Sequence, residues 1–336
     1  MLLGTWNLEN LYRPGGPFGP ADEAAYEAKL TALAAVITEL DPALLGVQEV
    51  GEPGALRDLA GMLEGAWHLA LSRRPDARGI RVGFLGRTPF EVLADTTAFP
   101  ARLRPVQADD AGVAVAEAGR GFLAVEAETG QGPLRVAVAH LKSKLLSYPG
   151  GRFQPRDEGE RARYGAYALY RRAAEAAGLR ALADALLAGE SLNGPPAGAV
   201  NGQRPGGDGR ERDVAVLGDL NDEVGAATTQ ILLGPPGSEI GTPGHDLADR
   251  GDAARLWNVA PLIPVEQRYS RVHSGRRELI DHVLVSHRLA HRLTEAGTGL
   301  PGDGPPRLPS VGPDPAERRG ARGSDHAPVW VRMGME

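Results

Sequence analysis

Residues 2–8, LLGTWNL, and residues 43–50, ALLGVQEV, are two apolar runs of strand length, and polar side chains close both of them. Between them, from Asp22 to Leu40, the residues Leu30, Leu33, Ala34, Ile37 and Leu40 recur at helical spacing, and Asp41-Pro42 ends the helix. Strand, helix, strand with polar residues at the strand ends is the signature of a layered α/β protein. Working outward, Trp67 to Leu141 holds short strands divided by Gly/Pro turns, including GIRVGFLG (79–86), GFLAVEAE (121–128) and PLRVAVAHL (133–141), and reads as an antiparallel half-sheet. A long Ala- and Leu-rich helix is expected from Arg161 to Ala188. A Gly/Pro-rich insert follows at 189–212, expected as a flexible surface loop. DVAVLGDLND (213–222) and RELIDHVLVS (277–286) are two further buried strands with polar ends, and APVWVRM (327–333) is the terminal one.

The chain has 336 residues, 42% hydrophobic and 24% charged, enough apolar material for one large domain spanning 1–336. It has no cysteine, which excludes disulfides, Cys-zinc sites and thiolate catalysis. MLLGTWNLEN carries no basic, then apolar, signal pattern, and no apolar run reaches the ~18 residues of a membrane span, so a cytoplasmic protein is expected. A net charge of −6 argues against a surface basic all over for nucleic acid, though a local basic groove remains compatible with it. Arginines are dense at 152–180, where interleaved acids suggest a solvated helix face, and at 268–277.

The informative pattern is where the buried runs stop. Asn7, Glu49, His140, Asp219, Asn221, Asp281 and the Asp325-His326 pair all lie at or beside such ends, expected to gather at one rim of a sheet. Singly each has an ordinary structural explanation: a turn asparagine, an exposed glutamate, a hydrogen-bonded core histidine. Asp281 is different, because a carboxylate inside a strand pattern needs a partner, and a histidine suits it. As a set they are hard to explain structurally. His282, one residue on, belongs on the other sheet face and reads as structural.

The ordered blocks TWNLEN, GVQEV, AHLKSK, LGDLND, LIDHVLVS and GSDHAPV resemble the endonuclease/exonuclease/phosphatase superfamily, the fold of DNase I, over residues 2–332. The resemblance implies a four-layered α/β sandwich, two mixed β-sheets packed face to face with helices outside. It also implies a metal site of Asn7, Glu49 and Asp325, with Glu49 the principal ligand, and hard oxygens of this kind suit Mg²⁺ or Mn²⁺. Asp219 would orient or deprotonate the attacking water and Asn221 would donate to a phosphate oxygen. His326 would contact the scissile phosphate with Asp281 behind it, and His140 would be a second phosphate contact or proton donor. Lys142 and Lys144 are expected on the face of His140 by alternation, with Lys142 and Arg81 as candidate phosphate contacts.

The function this implies is a Mg²⁺-dependent phosphodiesterase or nuclease acting on nucleic acid or a nucleotide by in-line attack of water. The alternatives within the fold are a phosphatase or a lipid- or sugar-phosphate phosphodiesterase. Outside it stands a non-catalytic binding module, which would be expected to have lost Glu49, Asp219 or His326. Two-metal calcineurin-like enzymes should show Asp-x-His and Gly-Asn-His blocks, and neither occurs here.

Overall fold

The computed structural model describes residues 1–192, 209–312, 314 and 317–334. The chain opens with β1 (Leu2–Leu11), α1 (Glu23–Leu40), β2 (Leu44–Val50), α2 (Pro53–Gly61), β3 (His68–Leu71) and β4 (Arg81–Gly86). There follow β5 (Phe90–Ala98), the short pair β6 (Val106–Gln107) and β7 (Ala114–Val115), β8 (Glu117–Thr129), β9 (Gly132–His140) and the long α3 (Glu158–Ala188). Then come β10 (Asp213–Asp219), α4 (Ala227–Leu233), β11 (Trp257–Asn258), β12 (Arg271–His273), β13 (Arg276–Glu278), β14 (Asp281–Val285) and α5 (His287–Ala290). The last strands are β15 (Leu293–Thr298), β16 (Ser310–Val311) and β17 (Val329–Met333).

Two six-stranded sheets form the body, ordered β15-β17-β1-β2-β4-β3 and β11-β14-β10-β9-β8-β5. Both are mixed, with β1 parallel to β2 in the first and β9 parallel to β10 in the second. The sheets share a core in which Leu3, Leu44, Phe84, Val329 and Val331 of one meet Val125, Val136, Val138, Leu217 and Val283 of the other. On the outer face of the first sheet, Leu30, Leu33 and Ile37 of α1 and Leu56 and Leu59 of α2 cover Trp6, Leu8, Leu45, Val47 and Leu85. On the outer face of the second, Leu179, Leu182 and Leu186 of α3 cover Ala137, Val214, Val216 and Leu284. Helix, sheet, sheet, helix gives the four layers expected.

The local signals explain the helix ends. Asp22 caps α1 by accepting from the Ala25 N–H at 2.8 Å, and Asp41 closes it in a left-handed conformation. Asp157 caps α3 in the same way through the Glu160 N–H, and Gly189 at φ 71° ends it.

Two readings of the sequence are corrected. Residues 67–141 are not one half-sheet: β3 and β4 complete the first sheet, while β5, β8 and β9 belong to the second. The run 277–286 is not one strand, because β13 pairs with β12 in a small separate sheet and only β14 enters the body. Alternating hydrophobicity marks a strand but not its partner, which is set by packing. The 189–212 insert lies mostly outside the described residues, with only its two flanks placed. No helix among the described residues is long and apolar enough to cross a membrane.

The sheets approach closely at Gly46, where a Cβ would stand 2.2 Å from Leu217 Cδ1 and 3.1 Å from Val138 Cγ2. Overpacking of this kind costs about 1–3 kcal/mol. Gly46→Val should therefore lower the urea midpoint by a matching amount, and an unchanged midpoint would show that the interface has slack there.

Candidate active site

Strand alternation delivers most of the polar set to one place. In β9, Leu134, Val136 and Val138 enter the core between the sheets, so His140 points there too. Ala215 and Leu217 do the same for Asp219 in β10, Val283 and Val285 for Asp281 in β14, and Leu3 for Asn7 in β1. These residues therefore lie at the shared end of two sheets, not along the rim of one.

Glu49 needs more than alternation. Leu45 and Val47 of β2 face the helices, and a regular strand would send Glu49 the same way. Instead Glu49 has φ 61°, and the register between β2 and β4 shifts between Val47 and Val50. This bulge brings Glu49 Oε1 to 4.0 Å from His140 Nε2 on the opposite sheet, while its Oε2 accepts the Asn10 N–H at 2.9 Å. Glu9, Asn10 and Asn221 also have positive φ, so four of the six such non-glycine residues among those described stand at this one spot. Left-handed backbone of this kind costs about 1–3 kcal/mol per residue and collects at functional sites.

Asp219 is the centre of the arrangement. Its Oδ2 accepts from Asn7 Nδ2 at 3.0 Å and lies 3.4 Å from His140 Nε2, and its Oδ1 accepts the Asn221 N–H at 2.9 Å. Burial and the neighbouring Asp281 carboxylate push its pKa up to about 7, against the opposing pull of His326 and Asn7. His326 Nδ1 meets Asp281 Oδ2 at 2.6 Å, and both residues are buried. Burial opposes a charge on His326, but Asp281 and Asp325 outweigh it and raise the imidazolium pKa to about 10. His140 goes the other way: burial and then Arg120 hold it well below the usual histidine range, and it is neutral near pH 7. Its Nδ1 and Asp281 Oδ1 are buried without a hydrogen-bond partner among the described residues.

These groups floor a cleft of about 400 Å³ whose walls carry Arg78, Arg120, Arg161, Arg271, Arg318 and Lys144, with Tyr148 and Phe153 beside them. Despite the net charge of −6, these cations nearly match the carboxylates that share the cleft, Glu9, Glu49, Asp219, Glu278, Asp314, Glu317 and Asp325. Asp76 orients both Arg120, at 3.1 Å, and Arg78, at 3.7 Å. Arg271 approaches Asp325 at 3.5 Å. Glu9 takes Arg318 in a two-pronged pair at 2.5 and 2.7 Å and also accepts the Asp325 N–H at 2.9 Å, while Lys29 is buried close by. The floor is braced from α3. Arg172 donates to Lys142 O at 3.0 Å and to Asp222 Oδ2 at 3.1 Å, and the buried Glu175 accepts the Lys142 and Gly119 N–H groups. His282 bonds the Asp222 carbonyl and Asn258, as its structural reading expects.

Three sequence candidates fall away from the cleft. Arg81 donates to the Gly51 and Gly79 carbonyls and pins loops. Lys142 lies beyond the end of β9, where alternation no longer applies, and its Nζ donates to the Ser143 and Leu145 carbonyls. Lys144 is the lysine that lines the cleft, paired with Asp222 at 3.3 Å. Asn7 uses both ends of its amide, on Asp219 and on the Glu9 N–H, and so holds the carboxylate in place instead of lining the cleft. Asn221 does line it, with its amide donating to Leu141 O. The sequence reading missed Arg78, Arg120, Arg318 and Glu9, while Arg271 belongs to the arginine-rich segment 268–277 that it offered to phosphate. The arginine run at 317–322 and the acidic residue inside TWNLEN were the available signals.

The carboxylates of Glu49 and Asp325 present hard oxygens to the cleft, a donor set that fits Mg²⁺ or Mn²⁺. Asp219, Asp281 and His326 also place donor atoms within 4.8 Å of one another, but the short His326–Asp281 bond marks these as a proton-handling group. The model of the endonuclease/exonuclease/phosphatase family matches residues 4–326, a span that contains every one of these groups. The chain belongs to that family. It is thus a hydrolytic phosphoesterase. Solved structures share the family fold. A truncated TDP2 from Caenorhabditis elegans is 13% identical with TM-score 0.51, covering 98% of this chain and 95% of that one. A 3'-5' exonuclease from Neisseria meningitidis is 15% identical with TM-score 0.51, with full coverage of both chains at 100%. A mannosyl-6-phosphatase from Bacteroides thetaiotaomicron is 13% identical with TM-score 0.51, again at 100% of both. No curated protein matches the chain.

For the family member in hand the His326–Asp281 pair has a signed consequence. Because the folded pKa of His326 lies above its ordinary 6.5, at about 10, the pair's contribution to stability is complete below pH 6.5 and is lost as pH rises through 10. In EDTA, an NMR titration should find the His326 ring changing charge near pH 10, and Asp281→Asn should bring that midpoint down by at least one unit. A midpoint that stays put in the variant would separate the two residues.

Proposed function

We propose that this family member is a Mg²⁺-dependent phosphodiesterase, with Mn²⁺ as an alternative metal, acting on nucleic acid or a nucleotide in the cytoplasm. The observation that carries the reading is the meeting of Asp219, Asn221, His140 and the His326–Asp281 pair on the floor of a cleft walled by arginines. Phosphate is the anion that several guanidinium groups and a buried imidazolium recognise together.

The residues divide the chemistry between them. Asp219, poised near neutrality by burial, accepts a proton from the attacking water, and Asn7 and the Asn221 N–H hold the carboxylate in line. His326, kept charged by Asp281, faces the charge that builds on the phosphoryl oxygens during in-line displacement. His140 is neutral and can donate a hydrogen bond to a phosphoryl oxygen without bringing a net charge beside Arg120. Glu49 and Asp325 would hold the metal, which supplies Lewis-acid stabilisation of the same oxygens. Arg78, Arg120 and Arg271 bind the parts of the substrate that do not react.

The test is hydrolysis of bis-p-nitrophenyl phosphate and of single- and double-stranded DNA and RNA, with Mg²⁺, Mn²⁺ or EDTA. Asp219→Asn and His326→Ala should each lose ~10²-fold or more in turnover while remaining folded, and Glu49→Gln should raise the metal concentration required. Cleavage of a phosphomonoester with every diester untouched would move the assignment to a phosphatase or sugar-phosphate enzyme. Near-normal turnover in His326→Ala would remove the proposed site.

A further inference from the structure

A second group of metal-competent side chains lies away from the cleft. β14 begins with Asp281, buried behind His326 of the cleft, and ends at Val285, and α5 starts at its far end with His287. At roughly 3.3 Å per residue the strand separates the two by more than 13 Å. At that far end His287 and His291, one helical turn apart, bring their Nε2 atoms to 3.3 Å. His245, from the loop before β11, stacks on His291 with ring centroids 4.4 Å apart. Ligand atoms of His245, Asp246 and His291 all lie within 4.8 Å of one another.

Three features separate this group from an ordinary surface cluster. A metal–nitrogen bond of about 2.0–2.1 Å in a tetrahedral site sets neighbouring ligand nitrogens about 3.4 Å apart, and His287 and His291 stand at that separation. His245 Nδ1 is buried and has no hydrogen-bond partner among the described residues, a polar atom in need of one. Trp257 packs edge-on against His287 at 5.3 Å and against His245 at 6.2 Å, so one buried indole backs both rings, and Asp252 Oδ2 adds a carboxylate 3.6 Å from His287 Nε2.

We propose that His245, His287 and His291, with Asp246, form a second metal site that takes a borderline cation of the Zn²⁺ class, distinct from the hard-oxygen site of the cleft. Imidazole nitrogens with one carboxylate select Zn²⁺ and its transition-metal neighbours over Mg²⁺, so the two sites differ in the metal they hold. The ligands come from α5 and from the loop before β11. A bound ion therefore ties that loop to the edge of the second sheet.

The test uses Zn²⁺ alone as the probe, on the full chain, by titration calorimetry and by thermal unfolding. The Glu49→Gln protein, in which the cleft site is impaired, should still bind Zn²⁺ and melt at a higher temperature with it. His291→Asn and His245→Asn, substitutions at a solvent-facing position and a half-buried one, should each weaken that binding at least ten-fold and abolish the rise in melting temperature. Hydrolysis supported by Mg²⁺ should be the same in both variants as in the parent. Equal Zn²⁺ stoichiometry and affinity in His291→Asn and the parent would overturn the proposal, as would a Glu49→Gln protein that binds no Zn²⁺. Should His245→Asn fail to fold, the exposed His291→Asn alone decides.

Discussion

The contact between the two sheets is the constraint on which everything at the cleft depends. Neither sheet holds a working set of groups: β1 and β2 bring Asn7 and Glu49, while β9, β10 and β14 bring His140, Asp219 and Asp281. The 4.0 Å from Glu49 to His140 and the 3.0 Å bond from Asn7 to Asp219 exist only because Leu3, Leu44 and Phe84 pack on Val136, Val138 and Leu217. Burial of this apolar surface is non-directional and large, whereas the polar contacts it creates are directional and individually small. The hydrophobic core does the holding, and the polar groups supply the geometry.

That division explains what could be read from the sequence. His140 and Asp219 were legible because each closes a strand whose alternation runs to its last residue, and Asn7 and Asp281 because each is a polar group set in an apolar run. Glu49 was legible only through the resemblance of GVQEV to a known block, since period-two alternation points it at the helices and a left-handed residue turns it back. Backbone conformation of that kind has no signature at a glutamate. The phosphate-contact candidates failed for a related reason: Lys142 lies one residue past the point where the strand rule stops applying, and Arg81 is consumed by backbone carbonyls of its own neighbourhood. The arginines that do line the cleft come from five separate places, Arg78 and Arg318 from loops, Arg120 from β8, Arg161 from α3 and Arg271 from β12, and only tertiary packing brings them together. The layered fold was legible, but not which sheet β3 and β4 join, because strand pairing across a long connection leaves no local trace.

The charges at the cleft also form a balanced system. Asp219, Asp281, Asp325, Glu9 and Glu49 crowd into a small buried volume, and His326, Lys29, Arg271 and Arg318 answer them from the opposite side. Burial raises the pKa of Asp219 and of Glu9 and lowers that of Lys29, and pairing works against burial in each case. His140 is held neutral among them, first by burial and then by Arg120.

The brace from α3 gives this balance its mechanical character. Arg172 and Glu175 fasten the segment after β9 and the segment after β10 to a single 31-residue rod. The floor is therefore anchored at two points to one element by hydrogen bonds made within the protein, which favours an arrangement set before substrate binds. The side walls are less uniformly held, with Arg120 tied to Asp76 and Arg318 to Glu9 while Arg161 and Lys144 keep about half of their side chains exposed. Variation among related enzymes should then change which molecules are admitted while leaving the bond-breaking apparatus as it stands.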